Sequence, residues 1–389
     1  MQSKFLSKIY IIIFSAIFLV SFTCCPAAAT GIRSDSRSAR TVFKKKPVIT
    51  PVWNENDLKR ARSGDKNLAG ANLRQTNLSG LKLTGVNLAG ADLRRANLRN
   101  ASITDAIAMG ANFEGANMTG IKISNSDFYR AEFKRTCLRN SDIRNCEFMK
   151  ADLAGADFSN AKLTDISAIK ANAQNTIFCR AVVNQVSFDS AQMPGTDFKR
   201  AAIIRSIFKN AEMQNSILQA ARISYSYFNR ARMQNCRLHD SNIQFTSFTE
   251  AFLDSADIHH SALLKTGFSK AKMRNVNLSR SSGTGLNFSS TAMAGADLSG
   301  VRFITSYFGY AAMNGTNLTG ANFLSRQKNS ATPAQDTCSF HHADMRAAIF
   351  TRSYFAQKTN FFCAQVDKKY KQYLKQFHLY QSNTIKWSE

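Results

Sequence analysis

Apolar residues recur every five positions along most of this chain. The stretch ANLRQTNLSGLKLTGVNLAGADLRRANLRN (71–100) divides into blocks of five, each with Leu third and most with a small residue first. The same register continues without a slip from Leu68 to Phe323, which makes 52 blocks. A helix repeats every 3.6 residues and a strand every two, so this repeat predicts neither alone. Gly and Asn often end a block, which indicates a tight turn at each one.

A second period of twenty residues lies within the first. From Phe188 to Phe308 every fourth block centre is Phe, and from Met193 to Met313 every fourth centre is Met or Leu. Four blocks therefore make one coil, and like side chains recur at the same corner of successive coils. The 52 blocks correspond to 13 coils. At about 4.8 Å per coil, we expect a rod of roughly 60 Å.

The block pattern over 68–323 resembles that of the pentapeptide-repeat family, A-[D/N]-L-x-x. The resemblance implies an all-β fold, a right-handed quadrilateral parallel β-helix. In that fold the block centre and the residue two before it point inward, and the other three positions point outward. Some centres here are small, which predicts a void or a slight bend beside them. These centres are Ala108, Ala168, Ala173 and Gly283.

The segment before the repeats has the organisation of an export signal. Residues 1–29 hold two lysines, the apolar run Ile9–Phe22 and three alanines, which predicts a secretory signal peptide cleaved after Ala29. A membrane anchor or a lipoprotein remains an alternative. Residues 30–52 are basic and polar and predict a flexible linker. We therefore expect the mature protein to be periplasmic or secreted.

Short caps are expected at both ends of the repeat domain, which spans 65–323. Residues 53–64 predict a cap helix with Asn54 as its N-cap and Gly64 as its stop, and with Trp53 and Leu58 covering the first coil.

The register breaks after Phe323. Residues 324–337 predict an inserted loop, and 338–362 an additional coil. In that coil Phe340 is expected over Phe308 and Met345 over Met313. Residues 363–389 predict a C-terminal cap helix and tail; a helix lying on a membrane surface is the alternative.

The cysteines do not form an obvious disulfide framework. Cys146 and Cys236 fall at inward positions and predict buried spacers. Cys137 and Cys179 fall at outward positions two coils apart, too far for a bridge. Cys338 and Cys363 are the one plausible pair, and whether they bond is left open.

Candidate chemistry is sparse. One outward cluster is suited to a divalent metal, with an exposed polar corner as the simpler interpretation. It comprises His239, Asp240, His259 and His260. No phosphate-binding loop or hydrolase motif is present, so we expect no enzyme activity and no cofactor.

The formal net charge is +25. Family members that imitate DNA and bind type II topoisomerases need an acidic rod, so that function is not expected here. Direct nucleic-acid binding suits the charge but not export. We expect a non-catalytic exported scaffold that binds a protein or an anionic envelope polymer. The alternative is a secreted, effector-like protein acting on another cell.

One outward strip is a candidate partner-binding surface. Its members are apolar side chains just after the Phe-column centres and cations one position further on, with Asp127 and Glu147 on the other side. They are Met109, Tyr129, Met149 and Ile169, with Arg130, Lys150 and Lys170. Stacked coils would place them in a strip roughly 15 Å long. Two alternatives stay open: the side chains cover the backbone, or they pack against a second rod in a homodimer. A membrane surface could also be contacted through the linker or the C-terminal helix.

Overall fold

The computed structural model describes residues 52–325, 337–357, 359–377, 379 and 382–388. The predicted signal peptide, nearly all of the linker and most of the inserted loop lie outside these residues. The described chain forms a parallel β-helix of about 15 turns with very little helix. No helix among the described residues is long and apolar enough to cross a membrane.

Each coil of the β-helix has four sides. On one side, strand Lys82–Thr84 (β1) pairs in parallel with Ser102–Thr104 (β2), so partners are twenty residues apart. On the other three sides the same spacing appears as single bridges, such as Asn67 to Asn87. We call the sides faces one to four, in the order in which the chain passes through them. Face one carries the Phe column and face four carries the continuous sheet.

The sheet on face four has fourteen strands, β1 to β13 and β15, each hydrogen-bonded to the next. A second sheet of three strands, β14, β16 and β17, forms at the C-terminal end. The remaining strands are β3 (Lys122–Ser124), β4 (Asp142–Glu147), β5 (Lys162–Ser167), β6 (Val182–Ser187), β7 (Ala202–Ile204), β8 (Arg222–Ser224), β9 (Asn242–Gln244), β10 (Ala262–Leu264), β11 (Ser282–Thr284), β12 (Arg302–Ile304), β13 (Asn322–Leu324), β14 (Asp344–Met345), β15 (Tyr354–Phe355), β16 (Gln365–Asp367) and β17 (Lys386–Ser388).

The core is the bore of the coil, as the five-residue pattern predicts. Nearly every block centre from Leu68 to Phe323, and nearly every small residue two before it, is buried. Phenylalanines stack along the Phe column, and the rings of Phe208 and Phe228 lie 4.6 Å apart and almost parallel. Small hydroxyls in the bore bond to the backbone; Ser206 Oγ, for example, donates to Ile204 O over 2.9 Å.

The underfilled centres have two different outcomes. A cavity of about 10 Å³ lies beside Ala168, between Phe148, Phe178 and Phe188. Gly283 leaves no void, because a Cβ there would meet Leu286 Cδ1 at 2.6 Å. The large Leu286 occupies a position that is usually small, and it fills the space that Gly283 leaves empty. The expectation of a void at Gly283 is therefore wrong.

The N-terminal cap helix α1 spans Glu55–Ser63. Asn54 is its N-cap, since its side chain accepts from the backbone of Asn56 and Asp57, and Gly64 ends it with φ 84°. Ala61 is its buried residue, and Leu58 packs against the core. Trp53 was predicted to cover the first coil together with Leu58, but it is only half-buried and does not pack against the core.

Helix α1 and its flanks also donate hydrogen bonds to carbonyls of the first coil that point toward the N-terminal end of the rod. Asn54 N donates to Asn72 O over 3.0 Å, and the guanidinium of Arg60 donates to Asn67 O. Two further carbonyls, of Asn77 and Thr84, accept from the side chains of Arg62 and Lys66. In every later coil the equivalent carbonyl accepts from the coil before it, as Asn87 O does from Leu68 N. The cap therefore takes the place of a preceding coil on all four faces.

The chain resumes the repeat after the insertion in the predicted register. The ring of Phe340 stacks on Phe308 at 4.8 Å, and Asp344 bridges to Ala312, which places Met345 over Met313. The next coil is one residue longer, because Asp344 pairs with Gln365.

The C-terminal segment, predicted as a cap helix and tail, forms a short helix and an added strand. It begins with β16 and a turn of 3-10 helix, continues as the short helix α2 (Lys371–Lys375), and returns as β17, which pairs with β16. Leu374 is buried, and the ring of Phe377 contacts Phe355 at 5.7 Å. The segment thus closes the bore as expected, although part of it does so as an added strand.

All six cysteines among the described residues are free. Cys338 occupies an inward position and is fully buried, whereas Cys363 lies at a block end, so the pair left open above does not form. Cys146 and Cys236 are buried as predicted, and burial raises the pKa of their thiols to about 11 and about 12. Cys179 is at an outward position, outside the core cluster, although little of its surface is exposed.

Candidate functional site

The predicted strip lies on face one, on four consecutive coils. Backbone hydrogen bonds fix its order: Gly110 N donates to Tyr129 O over 2.9 Å, Arg130 N to Met149 O over 3.1 Å and Lys150 N to Ile169 O over 3.0 Å. The structure therefore brings all seven predicted residues together. Met109 is 42% exposed, while Tyr129, Met149 and Ile169 are half-buried.

Tyr129 lies at the centre of the strip, between two cations. The Arg130 guanidinium is 5.2 Å and the Lys150 ammonium 5.6 Å from its ring centroid. Lys150 Nζ also donates to Tyr129 Oη over 3.3 Å. The sequence register predicts the cations beside the apolar side chains, whereas two of them contact the aromatic ring. Cation–π contact of this kind leaves the positive charges at the surface and holds the ring in one orientation.

One member of the strip was missed. Ile107 is 50% exposed on the same coil as Met109, on the other side of the small centre Ala108. Below it the column continues as Asp127 and Glu147, which bridge to one another across adjacent coils. An apolar residue at an outward position that is usually polar was the available signal. With Ile107 included, the first coil of the strip presents two exposed apolar side chains, whereas the next two coils present Asp127 and Glu147 in the column of Ile107.

The predicted histidine cluster lies on face three and forms two His–Asp pairs. His239 Nδ1 is 2.9 Å from Asp240 Oδ2, and His259 Nδ1 is 2.6 Å from Asp257 Oδ1. The rings of His239 and His259 stack at 4.8 Å, and the hydrogen bond from His239 lowers the pKa of Asp240. Each Nδ1 is thus already engaged by a carboxylate. Among the residues that the structure describes, no group of three or more His, Cys, Asp or Glu is placed to hold a metal.

A second aromatic and histidine cluster, not predicted, lies near the C-terminal end of face one. His341 covers Gly309; its Nε2 is 2.8 Å from Tyr307 Oη and its Nδ1 is 3.0 Å from Ser339 Oγ. Burial lowers the pKa of His341. The predicted stacking of Phe340 on Phe308 implies that His341 lies over Gly309, so the register contained the signal for this cluster but not the direction of the imidazole. Both imidazole nitrogens bond within the cluster, which favours a structural role.

These features define a class of protein: a parallel β-solenoid that displays its polar and apolar groups on outer faces. The pentapeptide-repeat family model matches residues 67–105, 106–145, 146–185, 216–254, 268–300 and 296–324. The chain belongs to the pentapeptide-repeat family. No curated protein matches the sequence.

Solved structures of the same repeat type also match. HetL, a pentapeptide repeat protein involved in heterocyst differentiation regulation from the cyanobacterium Nostoc sp. strain PCC 7120, is 19% identical; the match covers 67% of this chain and 94% of HetL, with a TM-score of 0.19. Full-length QnrB1, a plasmid-mediated fluoroquinolone resistance protein, is 18% identical, over 52% of this chain and 93% of QnrB1, with a TM-score of 0.23. Neither similarity carries an argument about what this chain binds.

Proposed function

We propose that this protein is an exported, non-catalytic scaffold whose basic rod binds a protein or an anionic polymer of the cell envelope. The observation that carries the proposal is the strip on face one. Apolar side chains there, Met109 exposed and the others half-buried, adjoin three exposed cations, and Arg130 and Lys150 contact the ring of Tyr129. Among the described residues no carboxylate forms an ion pair with either of these two cations. Such a surface supplies both apolar burial and attraction to negative charge.

A rigid rod is well suited to this role. The backbone of each coil is hydrogen-bonded to its neighbours, and the bore is filled, so the spacing of surface groups is fixed. A binder with preordered side chains loses less conformational entropy on association than a flexible one. The N-terminal segment supplies the support for export, since its charge and apolar pattern are those of a secretory signal.

The test uses paired variants of the strip. Replacing Tyr129 and Met149 with Ser removes apolar contact, and replacing Arg130 and Lys150 with Glu reverses charge; all four side chains point outward, so the fold should persist. Matched controls on the same face are Asn229→Ser with Thr249→Ser, and Lys209→Glu with Lys270→Glu. The mature protein and each variant would be immobilised and exposed to envelope extract, and every captured component identified and quantified.

We expect both strip variants, and neither control, to lose one and the same captured component. Only the charge reversal should change the salt dependence of capture, because screening acts on the charged groups. Equal capture by parent and strip variants would refute the strip as the docking face. Cell fractionation with N-terminal sequencing tests export separately: recovery of Met1 in the cytosol would contradict it.

A further inference from the structure

Face four differs in charge from the other three faces. Its outward positions from Val182 to Leu324 include four exposed cations and no carboxylate. The cations are Arg205, Arg222, Lys265 and Arg302. Over the same coils each of the other faces carries acids, for example Glu250 on face one, Glu212 on face two and Asp257 on face three. This half of face four is therefore uniformly positive, and the partner that complements it is negative.

Two stacked aromatic rings lie at the edge of this face. Tyr225 and Phe245 are 51% and 37% exposed, and their centroids are 4.9 Å apart with an angle of 1° between the rings. Their neighbours Ile207 and Tyr227, on the adjoining corner, are exposed as well. Four large apolar side chains thus form one exposed group beside the cations. Contiguous exposed apolar groups of this kind mark interaction sites in soluble proteins.

The backbone positions of the two rings strengthen the inference. Tyr225 and Phe245 have φ values of 53° and 50°. Left-handed block ends are a requirement of the fold, but Gly and Asn meet it with less strain than a bulky side chain does. Neither ring is buried in the bore, so core packing does not explain the choice of aromatic residues here. Contact with a partner does explain it.

A shallow concavity of about 400 Å³ lies beside the rings, on the surface of strands β9 to β12. Its floor includes Leu263 and Gly283, and Leu264, Ile304 and Arg302 lie along it. The short outward side chains of Ala262, Ser282 and Thr284 create this depression. Its lining combines the apolar Leu264 and Ile304 with the cation of Arg302, which suits an apolar side chain next to a carboxylate, and its other side chains are small or polar: Asn242, Gln244, Ala262, Ser282 and Thr284.

We propose that face four, between Val182 and Leu324, binds an acidic segment of a partner protein that carries an apolar side chain. The segment's carboxylates pair with the cations, and its apolar side chain enters the concavity beside Phe245. This surface is separate from the strip on face one, and the inference does not depend on the role of that strip or on export.

Other occupants fit the same observations less well. Sugar rings and nucleic-acid bases bind aromatic side chains by stacking on a ring face. Phe245 has Tyr225 against one face, and the ammonium of Lys265 lies 5.6 Å from its centroid. A second copy that docked through the same face would place like charges opposite each other. A lipid bilayer is also negative, but it offers no projecting group to enter the concavity.

The test is selection of a display library of random linear peptides on the immobilised mature protein. Two variants address the site: Tyr225→Asn with Phe245→Asn, which retains a residue suited to left-handed backbone, and Arg222→Glu with Lys265→Glu. The matched control, Lys122→Glu with Lys162→Glu, makes the same charge change at outward positions of face four nearer the N-terminus. The Tyr129→Ser, Met149→Ser variant reports on the strip independently.

We expect enrichment of peptides that combine Asp or Glu with Leu, Ile or Phe. In fluorescence anisotropy, both site variants should raise the dissociation constant of the best synthetic peptide by about tenfold or more, and neither control should raise it. Enriched peptides without acids, or affinity unchanged in both site variants, would overturn the proposal. Vesicles of phosphatidylglycerol and phosphatidylcholine form the last arm. Binding to them that depends on Tyr225 and Phe245, without acidic peptides being enriched, would assign the face to a membrane instead.

Discussion

Replacing Phe248 with Ala should destabilise the rod by about 4–5 kcal/mol. Phe248 is fully buried, and its ring stacks between Phe228 at 4.9 Å and Phe268 at 5.2 Å. Burying an aromatic side chain of roughly 200 Å² is worth about 5 kcal/mol as an upper bound. Measured losses for Phe to Ala in cores are about 3–5 kcal/mol. The value should lie in the upper part of that range, because the site cannot collapse.

The reason for the limited collapse is the backbone ladder. Phe248 N donates to Gly267 O over 2.6 Å, and Phe228 N donates to Ser247 O over 2.7 Å. These bonds hold the adjacent coils at a fixed spacing. The neighbouring rings therefore cannot move into the space that Phe248 leaves without breaking bonds in both coils. A cavity that persists costs more than one that closes.

The assay is urea unfolding followed by circular dichroism and by tryptophan fluorescence. The only two tryptophans, Trp53 and Trp387, lie near opposite ends of the described rod, so coincident transitions would show that the coils unfold together. The matched control is Phe245→Asn, three residues earlier, where the ring is exposed; it should change stability by less than about 1 kcal/mol. If Phe248→Ala unfolds at the parental urea concentration, the inward assignment of the Phe column is wrong. Phe248→Asp should abolish folding, since it buries an unpaired charge.

Three further outcomes are expected. Asn54→Ala should lower stability by about 1 kcal/mol in urea unfolding, because two helix N–H groups lose their acceptor; an unchanged midpoint would show that the cap is not needed. The hydrogen bond from Arg144 lowers the pKa of Asp142, so this pair stabilises the fold above the unfolded carboxyl pKa of about 4 and loses that effect as pH falls through the lower folded value. Asp142→Asn should remove this part of the acid sensitivity of the melting temperature, and an identical pH profile would contradict it. Cys363, which is half-exposed, should react with a thiol reagent in the native protein well before the buried Cys236, whose pKa burial raises to about 12; equal rates would refute the burial assignment.

The rod itself was predictable because its pattern is local and repeated. An inward residue recurs every five positions, and an error at one block, such as the small Gly283, cannot shift the others. What the pattern could not show is how neighbouring exceptions compensate. Leu286 is too large for its position and Gly283 too small, and only their placement side by side shows that one fills the space left by the other.

The surface was less predictable for a related reason. Sequence position placed Tyr129 and Lys150 on adjacent coils, but not the lysine over the ring, since side-chain direction is not fixed by the repeat. The stacked pair of Tyr225 and Phe245, twenty residues apart at successive block ends, was also available in the register but was not predicted. At the C-terminus the apolar spacing from Val366 to Phe377 indicated a helix, and a short one forms there, but no pattern indicated that Lys386–Ser388 in the predicted tail would pair with β16 as a strand. Tertiary pairing decided the structure there, and local periodicity did not.

Nothing within a stack of identical coils limits its length, because each coil offers the next one the same backbone hydrogen-bonding groups through which it pairs with the coil before it. The residues around α1 occupy one such group on each face at the N-terminal end. Asn54, Arg60, Arg62 and Lys66 occupy the carbonyls of Asn72, Asn67, Asn77 and Thr84, so no free acceptor remains at these positions for another chain. Three of these four donors are cationic side chains, which also repel a second basic rod. The cap therefore opposes end-to-end stacking of a second rod on the N-terminal coil, and so opposes the formation of fibres at this end.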